Sequence, residues 1–175
     1  MIWGEQVGLR PVVAADLPLL EAWENDVAVH SEYNMFGLRP ANSMGESFGR
    51  SGFIDEKQGT LMVVKLGGEV VGSMSYHTVA YGPNSGSRSY NFGIHLLPDQ
   101  RGKGYGSEAQ RLLAAYLFDT YPIARVEAST DVTNLPEQRS LEKAGFTREG
   151  VLRKAQWRSG GWHDLVVYSK LRGEP

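Results

Sequence analysis

Three glycines at alternate positions, Gly102, Gly104 and Gly106, are interleaved with Arg101, Lys103 and Tyr105 and followed by Ser107. The segment before them, Ser89 to Leu97, reads as a strand. The segment after them, from about Ser107 to Asp119, reads as a helix, because Ala109, Leu112, Leu113, Tyr116 and Leu117 fall at i, i+3, i+4, i+7 and i+8. A glycine-rich turn from a strand into a helix N-terminus gathers free backbone N–H groups and the positive end of the helix dipole. Both favour a phosphate. Glycine removes the side chains that would hold the backbone away from an anion, and Arg101 and Lys103 add positive charge at the rim. The loop does not fit the G-x-x-x-x-G-K-[ST] pattern, and the dinucleotide fingerprint needs a glycine where Ser107 stands. On the loop alone two readings stand: a phosphate cradle, or a turn that only tightens a strand-to-helix connection.

Two further groups have chemistry in reach of that loop. Asn91 and His95 share one face of the preceding strand, since positions 91, 93 and 95 alternate together. A histidine titrates near neutrality and can take the proton of an ammonium; the other reading of His95 is a packed, hydrogen-bonded strand residue. Downstream, Asn134-x-x-Glu137 has the spacing of a capping box and opens a helix from Asn134 to Ala144, stopped by Gly145.

The rest of the chain must position these residues. With 175 residues, 18 Lys plus Arg and 20 Asp plus Glu, the expectation is one domain spanning 1–175 with a formal charge of -2. That charge gives no support for a polyanion-binding surface, so nucleic acid is not an expected partner. The absence of cysteine excludes disulfides, thiol nucleophiles and thiolate metal sites, and the four histidines are too scattered for a metal centre. No leader pattern and no run of 18 apolar residues is read, so the expectation is a cytoplasmic protein without a membrane partner. Val7 to Val13 reads as a strand, and Asp16 is placed to cap a helix carrying Leu19, Leu20 and Trp23. His30 to Gly52 is irregular and rich in Asn, Ser, Gly and aromatics, the character of a binding segment. Leu61 to Leu66 and Glu69 to His77 form a hairpin around Gly67-Gly68. Arg125 to Thr130 is a short strand, and Val151 to Trp157 with His163 to Leu171 closes the chain as a hairpin around Gly160-Gly161. Strands in mixed order with a few helices make an α+β, or mixed α/β, domain.

Pro98-Asp-Gln-Arg-Gly-Lys-Gly-Tyr-Gly106 resembles motif A of the GNAT superfamily of N-acetyltransferases, [Q/R]-x-x-G-x-[G/A], with Arg101, Gly104 and Gly106 at the matching positions. Leu9-Arg10-Pro11 with Asp16, Trp23-Glu-Asn-Asp26, and Asn134 followed by Leu141-Glu-Lys-Ala-Gly-Phe146 and Glu149-Gly150 are similar to the RimJ/RimL-type branch along nearly the whole chain. Asp164 and Tyr168 fit its closing hairpin. The resemblance implies a central mixed, largely antiparallel twisted sheet of about seven strands flanked by about four helices. It implies acetyl-CoA as cosubstrate and no metal. The pyrophosphate is expected on Arg101, Gly102, Lys103, Gly104, Tyr105, Gly106 and Ser107. The pantetheine arm is expected along a slot opened beside Leu96 and Leu97, with Asn134 as a contact.

For the chemistry, the resemblance implies direct transfer to a primary amine, with backbone N–H groups near Leu96 holding the oxyanion. Here the chain departs from its family. Asn91 fills the position of a common glutamate base and can orient a water or an amine but not accept its proton. Leu141 fills the position of a tyrosine donor, and Glu137 that of a common serine. The candidate catalytic set is His95, Asn91 and Glu137, with the capping box as the other reading of Glu137; Asp164 and Tyr168 are further candidates. The His30 to Phe53 segment is expected to wall the acceptor site, with Glu32, Tyr33, Asn34 and Arg39 able to orient an amine. Trp157 and Trp162 line that slot, pack in the core or meet a second copy in a homodimer, core packing being the leading reading. The expected acceptor is a small molecule. The alternatives are a protein N-terminal amine, or an acyl-CoA-binding protein without turnover, the last motivated by Asn91, Leu141 and Glu137.

Overall fold

The structure, a computed structural model, describes residues 1–175. Its elements run β1 (Ile2–Trp3), β2 (Val7–Pro11), α1 (Leu17–Glu24), α2 (Val27–His30), α3 (Ser43–Ser51), β3 (Gln58–Lys65), β4 (Val70–Ala80), β5 (Arg88–Leu96), α4 (Tyr105–Thr120), β6 (Arg125–Asp131), α5 (Leu135–Lys143), β7 (Thr147–Arg158) and β8 (Gly161–Leu171). One eight-stranded sheet has the order β1-β2-β3-β4-β5-β6-β8-β7. Every pairing is antiparallel except β5 with β6. The mixed, largely antiparallel sheet agrees with the expectation. The additions to the expected seven strands and four helices are the two-residue β1 and the four-residue α2, both too short to carry a periodic signal.

The run Leu61-Met-Val-Val64 is apolar on both sides because β3 is covered on both faces. Leu61 and Val63 join a core under α4 with Tyr90, Phe92, Leu113, Leu117 and Tyr168. Met62 and Val64 face the other way, onto Leu20 and Trp23 of α1 and the partly buried Met44, Phe48 and Phe53. Burial of α4 follows the 3.6-residue period, with Ala109, Leu113, Ala114 and Leu117 inside. Its Glu108 carboxylate is buried and accepts the backbone N–H groups of Glu5 and Gln6, fastening the β1–β2 turn beside the glycine loop.

Several expectations are corrected. Asp16 precedes α1 but does not cap it: its carboxylate takes Arg10 (2.6 and 2.8 Å) and the N–H of Val13. The last hairpin turns at Ser159-Gly160, both with positive φ, because Arg158 pairs with Gly161. Core packing of Trp157 and Trp162 is overturned. They are 57 % and 60 % exposed and stack edge-to-face on each other, on a stretch of hairpin that no helix covers. Asp164 accepts the N–H of Lys154 across the hairpin, and the buried Tyr168 donates to Glu142, tying β8 to α5. No helix is long and apolar enough to cross a membrane.

Candidate active site

The parallel ladder between β5 and β6 stops at Phe92 opposite Ala128. Beyond that point β5 stays paired with β4 alone, through Leu96 opposite Gly72. Leu97 N–H donates to Val71 O (3.0 Å), which makes the odd-numbered residues of this stretch the hydrogen-bonded partners of β4. The N–H and C=O groups of Ile94 and Leu96 therefore point away from β4, into the gap left by β6. Gly72 is required here, since a Cβ at that position would lie 2.1 Å from His95 O. The splay exposes a short row of unpaired backbone donors, and no side-chain pattern announces it.

A cavity of about 390 Å³ runs from this gap over the glycine loop, between α4 and α5. Of the expected cosubstrate residues, Leu96, Arg101, Gly102, Gly104, Gly106, Ser107 and Asn134 line it. Gly102 (φ +75°) and Gly104 (φ +88°) adopt left-handed backbone, and α4 therefore begins at Tyr105, two residues earlier than expected. Gly106 serves a close approach, because its Cβ would meet Ser140 Oγ at 3.1 Å. The remaining three are elsewhere. Leu97 packs against the α1 side of the sheet, Lys103 Nζ donates to Gln100 (3.3 Å), and Tyr105 is turned into the main core. Arg101 is joined at the cavity by two further cations, Arg139 and Lys143, one turn apart on α5, which were not expected from the sequence. Glycine cradle, unpaired donors and flanking cations together fit a diphosphate with an amide-bearing arm.

Asn134 Oδ1 accepts the N–H of Glu137 at 3.4 Å, half of the expected capping box. The reciprocal half is missing. Glu137 turns its carboxyl into the cavity, where Oε1 accepts a hydrogen bond from the fully buried Gln110 (2.6 Å), itself bonded to Ser140. Burial without a cation pushes the Glu137 carboxyl up to about 8, so it carries a proton near neutral pH. His95 has the opposite character. Its Nε2 donates to Val29 O (2.9 Å), its ring lies 5.3 Å from Trp23 and 5.1 Å from His30, and burial pulls it down to about 4. Arg101 Nη2 donates to the same carbonyl (2.7 Å) while its Nε holds Leu96 O (3.0 Å). His95 and Arg101 thus satisfy the open C-terminal end of α2 and pin it to the splayed strand. Asn91 sits further back on β5, opposite His77 and Glu127, and lines neither this cavity nor the next.

A second cavity of about 380 Å³ lies on the α1 side, walled by Trp23, Phe36, Met44 and Phe53, with Glu24, Arg39 and Asn34 among its polar groups. Thr60, Ser73 and Ser75 lie on its sheet floor, Thr60 opposite Ser75 and Ser75 opposite Gly93. The segment from His30 to Phe53, which carries α3, does form a wall. Asn34 and Arg39 are in it, Tyr33 lines the other cavity, and Glu32 lines neither. The two cavities share Asn34, Ile94 and His95, so they meet at the splayed end of β5. Behind that junction Arg158 and Asp131 form a buried ion pair (2.5 Å), joined by His163 (2.8 Å) and Thr133 (2.7 Å). These contacts, with burial opposing them, leave the Asp131 carboxyl far below the usual carboxylate range. Arg158 lies under the Tyr33 ring, 5.6 Å from its centroid, and so ties the wall segment to the closing hairpin.

Comparison with known proteins agrees with this geometry. A family described as "Acetyltransferase (GNAT) domain" matches residues 6–147. The uncharacterized N-acetyltransferase YoaA of Bacillus subtilis is 28% identical over 141 residues, covering 79% of this chain and 76% of the relative. Among solved structures, the spermidine N-acetyltransferase of Vibrio cholerae, in complex with CoA and spermine, superposes with a TM-score of 0.81 at 20% identity, covering 97% of each chain. RimJ of Mycobacterium smegmatis, in complex with CoA-disulfide, gives 0.76 at 23% identity, covering 95% of this chain and 82% of that one. A polyamine enzyme and a RimJ protein match at similar levels, so the likeness supports the common fold and does not single out the RimJ/RimL-type branch.

Proposed function

From the premise that the chain belongs to the GNAT acetyltransferase family and is an acetyl-CoA-dependent N-acetyltransferase, we propose that it moves the acetyl group directly to the primary amine of a small-molecule acceptor. One observation carries this reading: a cavity lined by the glycine loop and a separate apolar-walled cavity open onto the same backbone, at Ile94 and His95. A thioester lying along the first would present its carbonyl to an amine held in the second.

The roles follow from the geometry. Backbone N–H groups from Gly102 to Ser107 hold the pyrophosphate, and Arg139 and Lys143 flank it. The unpaired N–H groups of Ile94 and Leu96 meet the pantetheine arm and the oxyanion that develops on the carbonyl. As the amine nitrogen bonds to the acetyl carbon and the C–S bond breaks, the protonated Glu137 gives its proton to the departing thiolate. The ammonium loses one proton to solvent before attack and the nitrogen loses a second after it, and solvent returns a proton to Glu137. His95 acts as a positioning residue in this scheme, because a conjugate acid near 4 cannot hold the proton of an ammonium. Holding amine and thioester in adjoining cavities supplies most of the remaining acceleration. The RimJ/RimL-type assignment rests on the Asn134…Leu141-Glu-Lys-Ala-Gly-Phe146 segment. A cavity of about 380 Å³ with side walls suits a compact amine better than a polypeptide end. The test is thiol release from acetyl-CoA with a panel of small amines and peptides bearing free N-termini. Small amines reacting faster supports the proposal; peptides reacting faster overturns it in favour of a protein acceptor.

A further inference from the structure

The acceptor cavity is electrically bipolar. Glu24 is its one acidic side chain and Arg39 its one permanently cationic side chain. They do not neutralise each other, and neither joins any of the ion pairs of the protein. The Glu24 carboxylate accepts a hydrogen bond from Ser43 Oγ (2.6 Å), and this holds it at the end of α1. Arg39 is held through its backbone, whose N–H and C=O bond with the Asn25 side chain (2.9 and 3.1 Å). Its position is thereby fixed while its guanidinium stays available to a ligand. The cavity's other titratable groups, His30 and His95, are both shifted by burial toward the neutral form. Trp23, Phe36, Phe53, Met35 and Met44 supply aromatic and thioether wall to the same cavity.

We propose that the acceptor is an amine that also bears a carboxylate, an amino acid, with its ammonium drawn in by Glu24 and its carboxylate by Arg39. This rests on the acetyl-transfer reading above and narrows its substrate class. A polyamine or an aminoglycoside presents several cations to a cavity with one acid and one arginine, and meets repulsion at Arg39. A plain alkylamine satisfies Glu24 and leaves the guanidinium without a partner. Only an acceptor carrying both charges uses both groups, and the apolar wall of the cavity suits its hydrocarbon part.

The test compares kcat/KM for amino acids against their decarboxylated counterparts, L-phenylalanine with phenethylamine, L-leucine with isoamylamine and 4-aminobutyrate with propylamine, together with spermidine. The best amino acid is expected to exceed its own amine by at least about 10-fold, the range of one charge-assisted pair. Arg39→Met should bring that ratio close to one while calorimetric affinity for CoA is unchanged. Amines or spermidine reacting as well as amino acids, or a preference that survives Arg39→Met, overturns the proposal and leaves acetyl transfer standing. No thiol release with any amine, CoA still binding, overturns the transfer reading and this proposal with it.

Discussion

Replacing Gly104 by Asp and by Asn separates the charge of the phosphate cradle from its backbone geometry. Gly104 precedes α4 at φ +88°, and the nearest atom to a Cβ built there is Gln6 Nε2 at 3.5 Å, so either side chain has room. Asn and Asp tolerate left-handed backbone better than other residues, and each should cost about 1 kcal/mol of stability. That cost is common to both variants and cancels in the comparison. What differs is one negative charge beside the expected pyrophosphate. At about 5 Å and an effective dielectric near 20, that repulsion is about 3 kcal/mol, on the order of 100-fold in affinity. The assay is calorimetric CoA binding at low and moderate salt, with thermal melts of both variants as controls. Gly104→Asn should bind CoA within about 10-fold of the parent, and Gly104→Asp on the order of 100-fold more weakly than Gly104→Asn, with the gap narrowing in salt. Equal CoA affinity of the two variants at equal stability would refute the placement of the diphosphate on this loop.

Three further outcomes are expected. Glu137→Gln keeps an acceptor for Gln110 but removes the acid, so kcat should fall about 100-fold or more with little change in CoA affinity. In the parent, kcat should decline as pH rises through about 8, and that decline should be absent from the variant's pH–rate profile. His95, held near 4 against 6.5 when unfolded, contributes stability that is complete above pH 6.5 and is lost as pH falls toward 4, up to about 3 kcal/mol. Chemical denaturation across that window should show the loss in the parent and a smaller one in His95→Gln, and neither should show a His95 step in turnover above pH 6. Arg158→Met leaves Asp131 buried with His163 and Thr133 but without a permanent cation and should destabilise the fold by about 3–5 kcal/mol, read as a lowered urea midpoint.

Much of this architecture is legible in the sequence, for a physical reason. The glycine turn, the α4 stripe and the strand hairpins are set by local backbone preference and by periodicity, which neighbouring residues encode. The site is less legible where it depends on distant contacts. The end of the β5–β6 ladder at Phe92 is a property of two strands more than 30 residues apart. The capping-box spacing of Asn134 and Glu137 is real, yet the carboxyl turns away from the Asn134 N–H because the buried Gln110 on α4 offers it a donor. His95 looks like a base from its type alone; Val29, reaching it from a different element, makes it an anchor. Arg139 and Lys143 on α5 look like ordinary surface until α5 packs across the groove. Trp157 and Trp162 carry core-type side chains on a hairpin stretch that no helix covers, and residue type misleads there. Glu24 stands in the family-like Trp23-Glu-Asn-Asp26 segment, but it shares a cavity with Arg39 only once the 34–39 loop folds back to bond Asn25.

The central claim is direct acetyl transfer at the junction of the two cavities, and a single-turnover experiment tests it most directly. Protein, acetyl-CoA and a reactive amine are mixed with enzyme in excess, and free thiol, acetylated amine and the intact mass of the protein are followed together. The account predicts one thiol and one acetylated amine per acetyl-CoA consumed, with no acetyl group on the protein at any time. CoA bound tightly with no thiol released, or an acetylated protein appearing before the product, would contradict it.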